Sequence, residues 1–423
     1  MYVLRNRLWG IALLVAATGT LVACGEDLDG LAACPALCPE QNIVSKDTLL
    51  EAFIAVDSTI TGYPVLGTEE FLLVASRGDT LDARAVIRFD TLTQQFTRGG
   101  EDSTIYAVDS SALLLLLDTA GTRATAPVTV EVYDVDTTAT DTSTAAVLAL
   151  FRPERIIGGK TYEVDELTDT LRVPLENEKV LAKLTGPDPK RLRVGLRVQS
   201  SASAQIRVVA REAGATNQLV YDPSPDTLVA PLANSPGSTT PVDNPVIRVD
   251  MTDYQLVAKA TATPAGSLLG VGGLPAQRTF LRFDVPARLI DSATIVRATL
   301  VLTQVPNTSV DADDSLTIYP QVVRAAVELT DVGRAAGILN PPFDIDSIRV
   351  VPSSGGQRSF EMVGALRNWK AFGPTTIQRA IVLRSSAEGA SAPSVLFYSS
   401  EAPPELRPRL RLTYVSEVGF GIP

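Results

Sequence analysis

The side chains that could do chemistry in this chain are carboxylates, arginines, tyrosines and three cysteines, because the sequence contains no histidine. The absence of histidine excludes Ser-His-Asp and Cys-His nucleophiles and nearly all catalytic zinc sites. Catalysis would have to use a pair of carboxylates, as in glycosidases, and sequence spacing does not show which carboxylates face each other. We therefore predict no catalytic residue, no metal site and no cofactor. A structural calcium ion stays open as an unsupported alternative.

Two strings of the pattern Arg-x-x-aliphatic-Arg-Phe-Asp carry the best-defined charged pairs. RAVIRFD ends at Asp90, with Arg88 two residues earlier, and RTFLRFD ends at Asp284, with Arg282 two residues earlier. Residues two apart share one face of a strand. Each pair could grip a ligand, but a salt bridge on the outer face of a sheet is the commoner arrangement and is what we predict.

Trp369 is the only tryptophan after residue 23, and it could offer a flat face to a sugar ring. It stands among Val363, Leu366 and Phe372, which favours a position in the core or in a lid. The segment 362–372 has the apolar spacing of a short amphipathic helix that covers one end of a sheet.

Two further kinds of motif imitate ligand sites. IIGGKT at 156–161 resembles the end of a P-loop, but Glu154 replaces the first glycine and a strand-like TYEV follows, so the nucleotide-binding interpretation fails. Acidic clusters could hold calcium, but none has EF-hand spacing, and we predict solvated turns. Their residues are Asp136 and Asp141, Asp311, Asp313 and Asp314, and Asp344 and Asp346.

The first residues have the layout of an export signal. Arg5 and Arg7 precede an apolar run at 8–17, small residues follow, and LVAC ends at Cys24. This string resembles the lipobox of bacterial lipoproteins. The resemblance implies removal of residues 1–23, acylation of Cys24, and anchorage in a lipid bilayer at the outer membrane or cell surface. The alternative is an ordinary signal peptide with a chance cysteine.

Residues 24–46 are predicted to form a lipidated tether that contains the motif CPALC. Cys34 and Cys38 would lie outside the cytoplasm, where a disulfide persists, and four residues can bring them within bridging range on a turn. A structural disulfide is favoured over a reactive or metal-binding pair, because the chain offers no histidine and no second such pair.

Length and composition indicate two globular domains. The chain has 423 residues, is 45% hydrophobic, and carries a net charge of −11, and the sequence shows no basic stripe of the kind that a nucleic-acid-binding protein needs. Six prolines break the stretch 222–246, which is predicted to be an extended linker without ladders. The predicted domains are then 47–221 and 247–418.

These two blocks repeat the same features in the same order. After each RFD come an Asp-Ser turn, an apolar run, a strand that ends in tyrosine, a Gly-Pro pair before Leu-Arg, and a segment that ends in Glu-Ala. Apolar residues alternate in the repeated strings, so that Ala85, Ile87 and Phe89 form an inner set. Short strands separated by turn clusters predict an all-β fold of two tandem antiparallel β-sandwich domains.

The second block resembles the DNRLRE domain, a jelly-roll module of bacterial surface proteins that is related to carbohydrate-binding modules. QRTFLRFDVP, SATIVRATLVL, the Trp369 segment, IVLRSSAEGAS and FYSSEAPPELRPRLRLTY carry the likeness over about 250–415. The first block matches less well, since Ala182 stands in place of Trp369. The resemblance implies noncatalytic binding of an extracellular polysaccharide, with no ligand residue to transfer. The alternatives are a structural or adhesive envelope protein, and a carboxylate-based hydrolase or lyase.

Overall fold

The structure is a computed structural model, and it describes the chain from residue 45 with gaps. The described residues are 45–50, 54–63, 67–98, 101–136, 144–187, 191–214, 216–223, 231–236, 253–260, 267–308, 314–324, 332, 347–372 and 379–416. Most of them form strands that pair antiparallel, so the all-β prediction is confirmed. Residues 1–44 lie outside the described residues, and with them the predicted signal peptide, Cys24, Cys34 and Cys38.

Strands dominate the described residues, and the α-helices among them are short. In the first part of the chain the strands are β1 Ser45–Leu50, β2 Ile54–Gly62, β3 Phe71–Arg77, β4 Leu81–Phe89, β5 Gln95–Arg98, β6 Glu101–Thr104, β7 Val108–Leu116, β8 Arg123–Ala124, β9 Val128–Asp134, β10 Ile156–Tyr162, β11 Thr170–Pro174, β12 Leu192–Ser200, β13 Ala204–Val209, β14 Gln218–Pro223, β15 Leu232–Asn234 and β16 Asp253–Lys259. In the second part they are β17 Leu268–Gly272, β18 Ala276–Phe283, β19 Ala293–Val305, β20 Leu316–Val322, β21 Ile348–Val350, β22 Gly356–Glu361, β23 Ala380–Ser385, β24 Ser394–Tyr398 and β25 Arg409–Ser416. The helices are α1 Thr144–Leu148, α2 Asn177–Thr185, α3 Ala287–Asp291 and α4 Val363–Phe372.

Hydrogen bonding divides these strands into two sets, which we call the first and second lobes. The first lobe comprises β3 to β16, which form three sheets. The largest has the order β10-β9-β12-β4-β3-β13-β8, and β16 also pairs with β4. The second has the order β11-β7-β14-β15, and the third is the pair β5-β6. The second lobe comprises β17 to β25 together with β1 and β2, in one branched sheet. Each lobe has its own large apolar cluster, with Leu72 to Tyr221 in the first and Leu50 to Leu412 in the second.

The repeated strings occupy equivalent central strands. Ile87 and Phe89 of β4 are fully buried in the first core, as the alternation predicts, and Leu281 and Phe283 of β18 are buried in the second. The other face of β4 is also covered, because α1 and the residues after it bring Val147 against Val86. Strand β4 is therefore covered on both sides, and the charged residues of its outer face have little access to water.

In each lobe, a strand from the other predicted block pairs with the strand of the repeated string, and we call it the closing strand. In the first lobe, β16 pairs with β4 and brings Asp253 opposite Ile87. In the second lobe, the N-terminal β2 pairs with β18 and brings Asp57 opposite Leu281, which is the equivalent position of the repeated string. The strand pairing thus joins residues 45–62 to 267–416 and leaves 67–260 as a continuous unit, a division that differs from the composition-based boundaries.

The two closing strands, β2 and β16, make the same polar contacts. Asp57 accepts hydrogen bonds from the amide of Ser400 at 2.6 Å and from its hydroxyl at 3.0 Å, and Asp253 accepts one from the amide of Arg211 at 3.1 Å. A polar side chain two residues further along each strand also accepts from a backbone amide. Thr59 accepts from Gly270 at 2.9 Å, and Gln255 accepts from Leu73 at 3.2 Å.

The predicted linker contains a short ladder, contrary to expectation. Leu219 to Tyr221 of β14 pair with β15, whose three residues lie between Pro231 and Pro236. The prolines flank the ladder without removing any of its N–H donors, which explains why it forms. Residues 224–230 and 237–252 lie outside the described residues.

Candidate functional site

In the first lobe, two arginines surround one carboxylate beneath the outer face of the sheet. Arg84, the first arginine of its string, donates to both oxygens of Asp82, at 3.0 and 2.8 Å, and Arg197 approaches the same carboxylate at 3.4 Å. Burial alone would raise the pKa of Asp82, but the hydrogen bond and charge of Arg84, with Arg197, hold it below its usual value. Tyr133 donates to Glu131 at 2.6 Å beside this group.

The second lobe repeats the arrangement with a carboxylate from a different place in the chain. Arg278, equivalent to Arg84, donates to both oxygens of Glu388 at 2.9 and 2.6 Å, and both side chains are nearly inaccessible. Arg384 reaches the same carboxylate at 3.1 Å, and its guanidinium lies 5.5 Å from the centre of the Tyr319 ring. Each carboxylate is held by two arginines, so loss of one arginine would leave a poorly paired buried charge, and we assign both clusters a structural role.

The second arginine of each string, Arg88 or Arg282, is predicted to form an exposed salt bridge with the aspartate two residues later. Arg88 and Asp90 form the predicted salt bridge at 3.1 Å, but the pair is buried, with 3% and 2% of the side chains exposed, because the outer face of β4 is covered. In the second string, Arg282 is half-buried and Asp284 is exposed. The expected exposed pair is therefore wrong for the first copy.

Glu69 lies at the junction of the lobes. The Cβ atom of any other residue at Gly389 would come within 3.0 Å of its carboxylate carbon, and φ of Gly389 is +76°, so glycine is required there. Burial raises the pKa of Glu69 to about 8, with a further rise from the charge of Glu388, and the charges of Arg384 and Arg278 oppose it. Glu69 is thus a carboxyl that can carry its proton at neutral pH.

Asp253 is a second carboxyl with a raised pKa. It is 1% exposed, and its Oδ1 has no hydrogen-bond partner. Burial raises the pKa of Asp253 to about 7, and the neighbouring charge of Glu212 adds to the effect. Glu212 also raises the pKa of Glu69, so the three carboxyls form one electrostatic group at the lobe junction.

The best candidate for a ligand site is a cavity of about 590 Å³ at one edge of the first lobe. It lies where β3 ends, β8 pairs with β13, and Arg77, Arg123 and Gln205 converge. Arg77 donates to the side chain of Gln205 at 2.7 Å, and Gln205 donates to the Gly121 carbonyl at 2.8 Å, which fixes both. Hydroxyls of Thr125 and Ser203 complete the lining.

Arg123 connects this cavity to the second lobe. Its guanidinium donates to Asp314 at 2.8 Å, with 44% of the arginine side chain exposed and only 6% of the aspartate. One edge of the guanidinium is therefore held while much of the group faces solvent. Among the described residues that line the cavity none is acidic. The guanidinium groups can bind an anion, and the Gln205 amide can bind hydroxyl groups of a ligand. The described residues of the lining offer no carboxylate pair for hydrolysis.

Comparisons with known proteins add little. No family model matches the chain, and no curated protein matches it. Among solved structures, the chain is similar to the M60 catalytic domain with the CBM51-1 and CBM51-2 domains from Clostridium perfringens ZmpB. The identity is 8% and the TM-score 0.13, over 88% of this chain and 39% of that one. The chain spans well under half of that protein, and so slight a likeness carries no argument.

The remaining candidates from the sequence lie in structural positions. Trp369 is 2% exposed on α4 and packs against Phe283 with ring centres 5.6 Å apart, which confirms the predicted core position. The predicted helix at 362–372 is observed as α4, Val363–Phe372. IIGGKT forms strand β10, as expected for a false P-loop.

The prediction of solvated turns is wrong for the two of these aspartates that lie among the described residues, Asp136 and Asp314. Asp314 is buried and bound to Arg123, and Asp136 accepts from Arg191 at 3.0 Å and from Lys183 at 3.4 Å. Both serve as counter-ions, which sequence spacing does not reveal because their partners are far away in the chain. The other five aspartates, 141, 311, 313, 344 and 346, lie outside the described residues.

In the described part of the chain, no three His, Cys, Asp or Glu side chains are grouped so that they could hold a metal ion. No helix in the same part is long and apolar enough to cross a membrane.

Proposed function

We propose that this protein is a noncatalytic cell-envelope lipoprotein that binds an anionic extracellular polysaccharide in the cavity between Arg77 and Arg123. The observation that carries the proposal is the convergence of two guanidinium groups on a cavity of about 590 Å³, with no acid among the described residues that line it, in a chain of net charge −11. Guanidinium groups match a carboxylate in geometry and charge, so the acidic group of a uronic acid suits this position.

The rest of the lining suits the neutral part of such a sugar. The Gln205 amide and the hydroxyls of Thr125 and Ser203 can exchange hydrogen bonds with ring hydroxyls. The cavity is open enough for a residue within a polymer, because Arg123, Thr125 and Ser203 are exposed. Acylation of Cys24 would hold this site at the outer membrane or cell surface, where extracellular polysaccharide is met.

Affinity electrophoresis in gels that contain a polyuronate, with a neutral glucan as the comparison, tests the proposal. We expect the polyuronate to retard the protein and the glucan to leave its mobility unchanged. Arg123→Gln removes a charge-assisted contact and should weaken binding by at least about tenfold. Arg152→Gln is the matched control, because Arg152 is a similarly exposed arginine, paired with Glu154 at 3.3 Å, and does not line the cavity.

A second variant separates binding from folding, since Arg123 also pairs with buried Asp314. Thr125→Trp fills the cavity from an exposed position and leaves that ion pair in place. It should abolish retardation with an unchanged thermal unfolding midpoint. Equal retardation of Thr125→Trp and the parent would refute the site. Failure of every polymer to bind would favour a structural or adhesive protein, and release of sugar products would favour a hydrolase or lyase.

A further inference from the structure

A second cavity lies at the end of the second lobe, between α3, the start of β19 and α4. It measures about 170 Å³, and its apolar walls include Ile290, Ile295 and Leu366. Arg367 and Lys370 of α4 also line it and are exposed. Lys370 donates to the Ala293 carbonyl at 3.2 Å, which ties the helix to the strand. The site therefore combines a small apolar space with two cations at its rim.

More cations occur on the same elements. Arg288 of α3 and Arg297 of β19 are exposed, and Val296 beside Arg297 is 56% exposed. We call Arg288, Arg297, Arg367 and Lys370 the basic face. Two nearby acids have arginine partners, since Asp291 lies 3.8 Å from Arg379 and Asp47 pairs with Arg411, with the charge of Arg297 also close to Asp47. The sequence of α4 contains no acidic residue. The basic face is thus a local positive region on a protein of net charge −11.

The equivalent helix of the first lobe lacks this character. Helix α2 packs on β7 as α4 packs on β19, but it carries Glu178 next to Lys179. Its other lysine, Lys183, is paired with Asp134 at 3.0 Å and with Asp136 at 3.4 Å. The positive charge is therefore a property of the second lobe and not a consequence of the fold.

The chain enters the folded unit beside this cavity. Ser45, the first described residue, pairs with Val415, and Val415 pairs on its other side with Thr294, which lines the cavity. Two strand spacings separate Ser45 from Thr294, which is about 10 Å. A further 44 residues precede Ser45, including the predicted lipid attachment site at Cys24.

We infer that the basic face is a docking surface for an anionic phospholipid bilayer. The cations contact lipid headgroups, and the apolar cavity with Val296 accommodates the hydrocarbon just beneath them. The predicted lipid anchor at Cys24 is joined to Ser45 by residues 25–44, so the orientation of this end towards the membrane rests on the proposed lipid anchor. The charge argument does not depend on it. This surface is distinct from the cavity between Arg77 and Arg123, which lies in the first lobe.

Vesicle flotation tests the inference with the chain from residue 24 onwards carrying Cys24→Ser, so that neither the predicted signal peptide nor an acyl chain contributes to binding. We expect binding to vesicles of phosphatidylcholine mixed with phosphatidylglycerol, release by added salt, and none to pure phosphatidylcholine. The double variant Arg367→Gln and Lys370→Gln should bind about thirtyfold more weakly, since each cation near an anionic surface contributes about fivefold. The control is Arg172→Gln with Lys179→Gln, which removes two exposed cations of the first lobe.

Three results would overturn the inference. They are no binding of the parent to the mixed vesicles, equal binding to both kinds of vesicle, and equal weakening by the control pair. The outcome is independent of the polysaccharide test, because the variant at Arg367 and Lys370 should keep its retardation by polyuronate. Likewise, Thr125→Trp should lose that retardation and still float with anionic vesicles.

Discussion

Replacement of Glu69 by glutamine should stabilise the protein at alkaline pH and leave it nearly unchanged at acidic pH. The folded-state pKa of Glu69 is about 8, against its usual 4.5, so folding favours the protonated carboxyl. The stability that protonated Glu69 contributes is therefore fully present below about pH 4.5 and is lost as the pH rises towards 8. At about 1.4 kcal/mol per pKa unit, the full change would be about 5 kcal/mol. Because Glu69 is partly accessible, we expect about 2–3 kcal/mol.

Urea unfolding of the parent and of Glu69→Gln at a series of pH values measures this difference. Glutamine resembles the protonated glutamate in shape and charge, so the two free energies of unfolding should agree near pH 4. They should diverge above about pH 4.5 and differ most near pH 9. Glu70→Gln is the matched control, because Glu70 is the exposed neighbour and should show no such divergence.

The sign of the effect makes the reasoning refutable. Glu388 and Glu212 raise the pKa of Glu69, and Arg384 and Arg278 lower it. If the arginines outweighed burial, ionised Glu69 would stabilise the junction, and Glu69→Gln would then be the less stable protein at pH 9. That result, or parallel pH profiles for the two proteins, would contradict the account of the junction.

Two further predictions concern the packing of the lobes. Asp57→Ala should lower the free energy of unfolding by about 1–3 kcal/mol, because two donors of Ser400 lose their acceptor; urea unfolding should show little change for Asp47→Ala, whose carboxylate is exposed. Arg278→Ala should cost about 3–5 kcal/mol, since it removes the bidentate partner of buried Glu388. Thermal unfolding of Arg278→Ala that matched that of Arg152→Ala would show that the cluster is dispensable.

Much of the local structure could be predicted from the sequence. Alternation placed Ile87 and Phe89 on the inner face of a strand, and apolar spacing placed Trp369 on a helix in the core. These features depend on neighbours along the chain, where period and residue type act directly. Arg84 and Asp82 are two residues apart, as Arg88 and Asp90 are, but no local signal indicated that Arg278 would meet Glu388.

The other features depend on contacts between distant segments. Arg88 and Asp90 are buried on the face of β4 that also places Val86 in an apolar cluster with Val147 and Tyr254, and a period of two in β4 carries no information about such a cover. Asp314 is a counter-ion because Arg123, far away in sequence, lies opposite it. The cavity between Arg77 and Arg123 arises in the same way, from the meeting of β3, β8 and β13.

The closing strands give the strongest support for the predicted duplication. They also place the boundaries of the repeated unit at positions other than those predicted from the sequence. Asp57 and Asp253 face equivalent residues of the two strings and accept from equivalent amides, those of Ser400 and Arg211. Chance pairing would not reproduce both the register and the polar contact. The second lobe takes its closing strand from the start of the chain, so its sheet is complete only when residues 45–62 are in place. The position at which the chain enters this lobe is therefore fixed by the ladder between β1 and β25 and not by the length of the preceding segment.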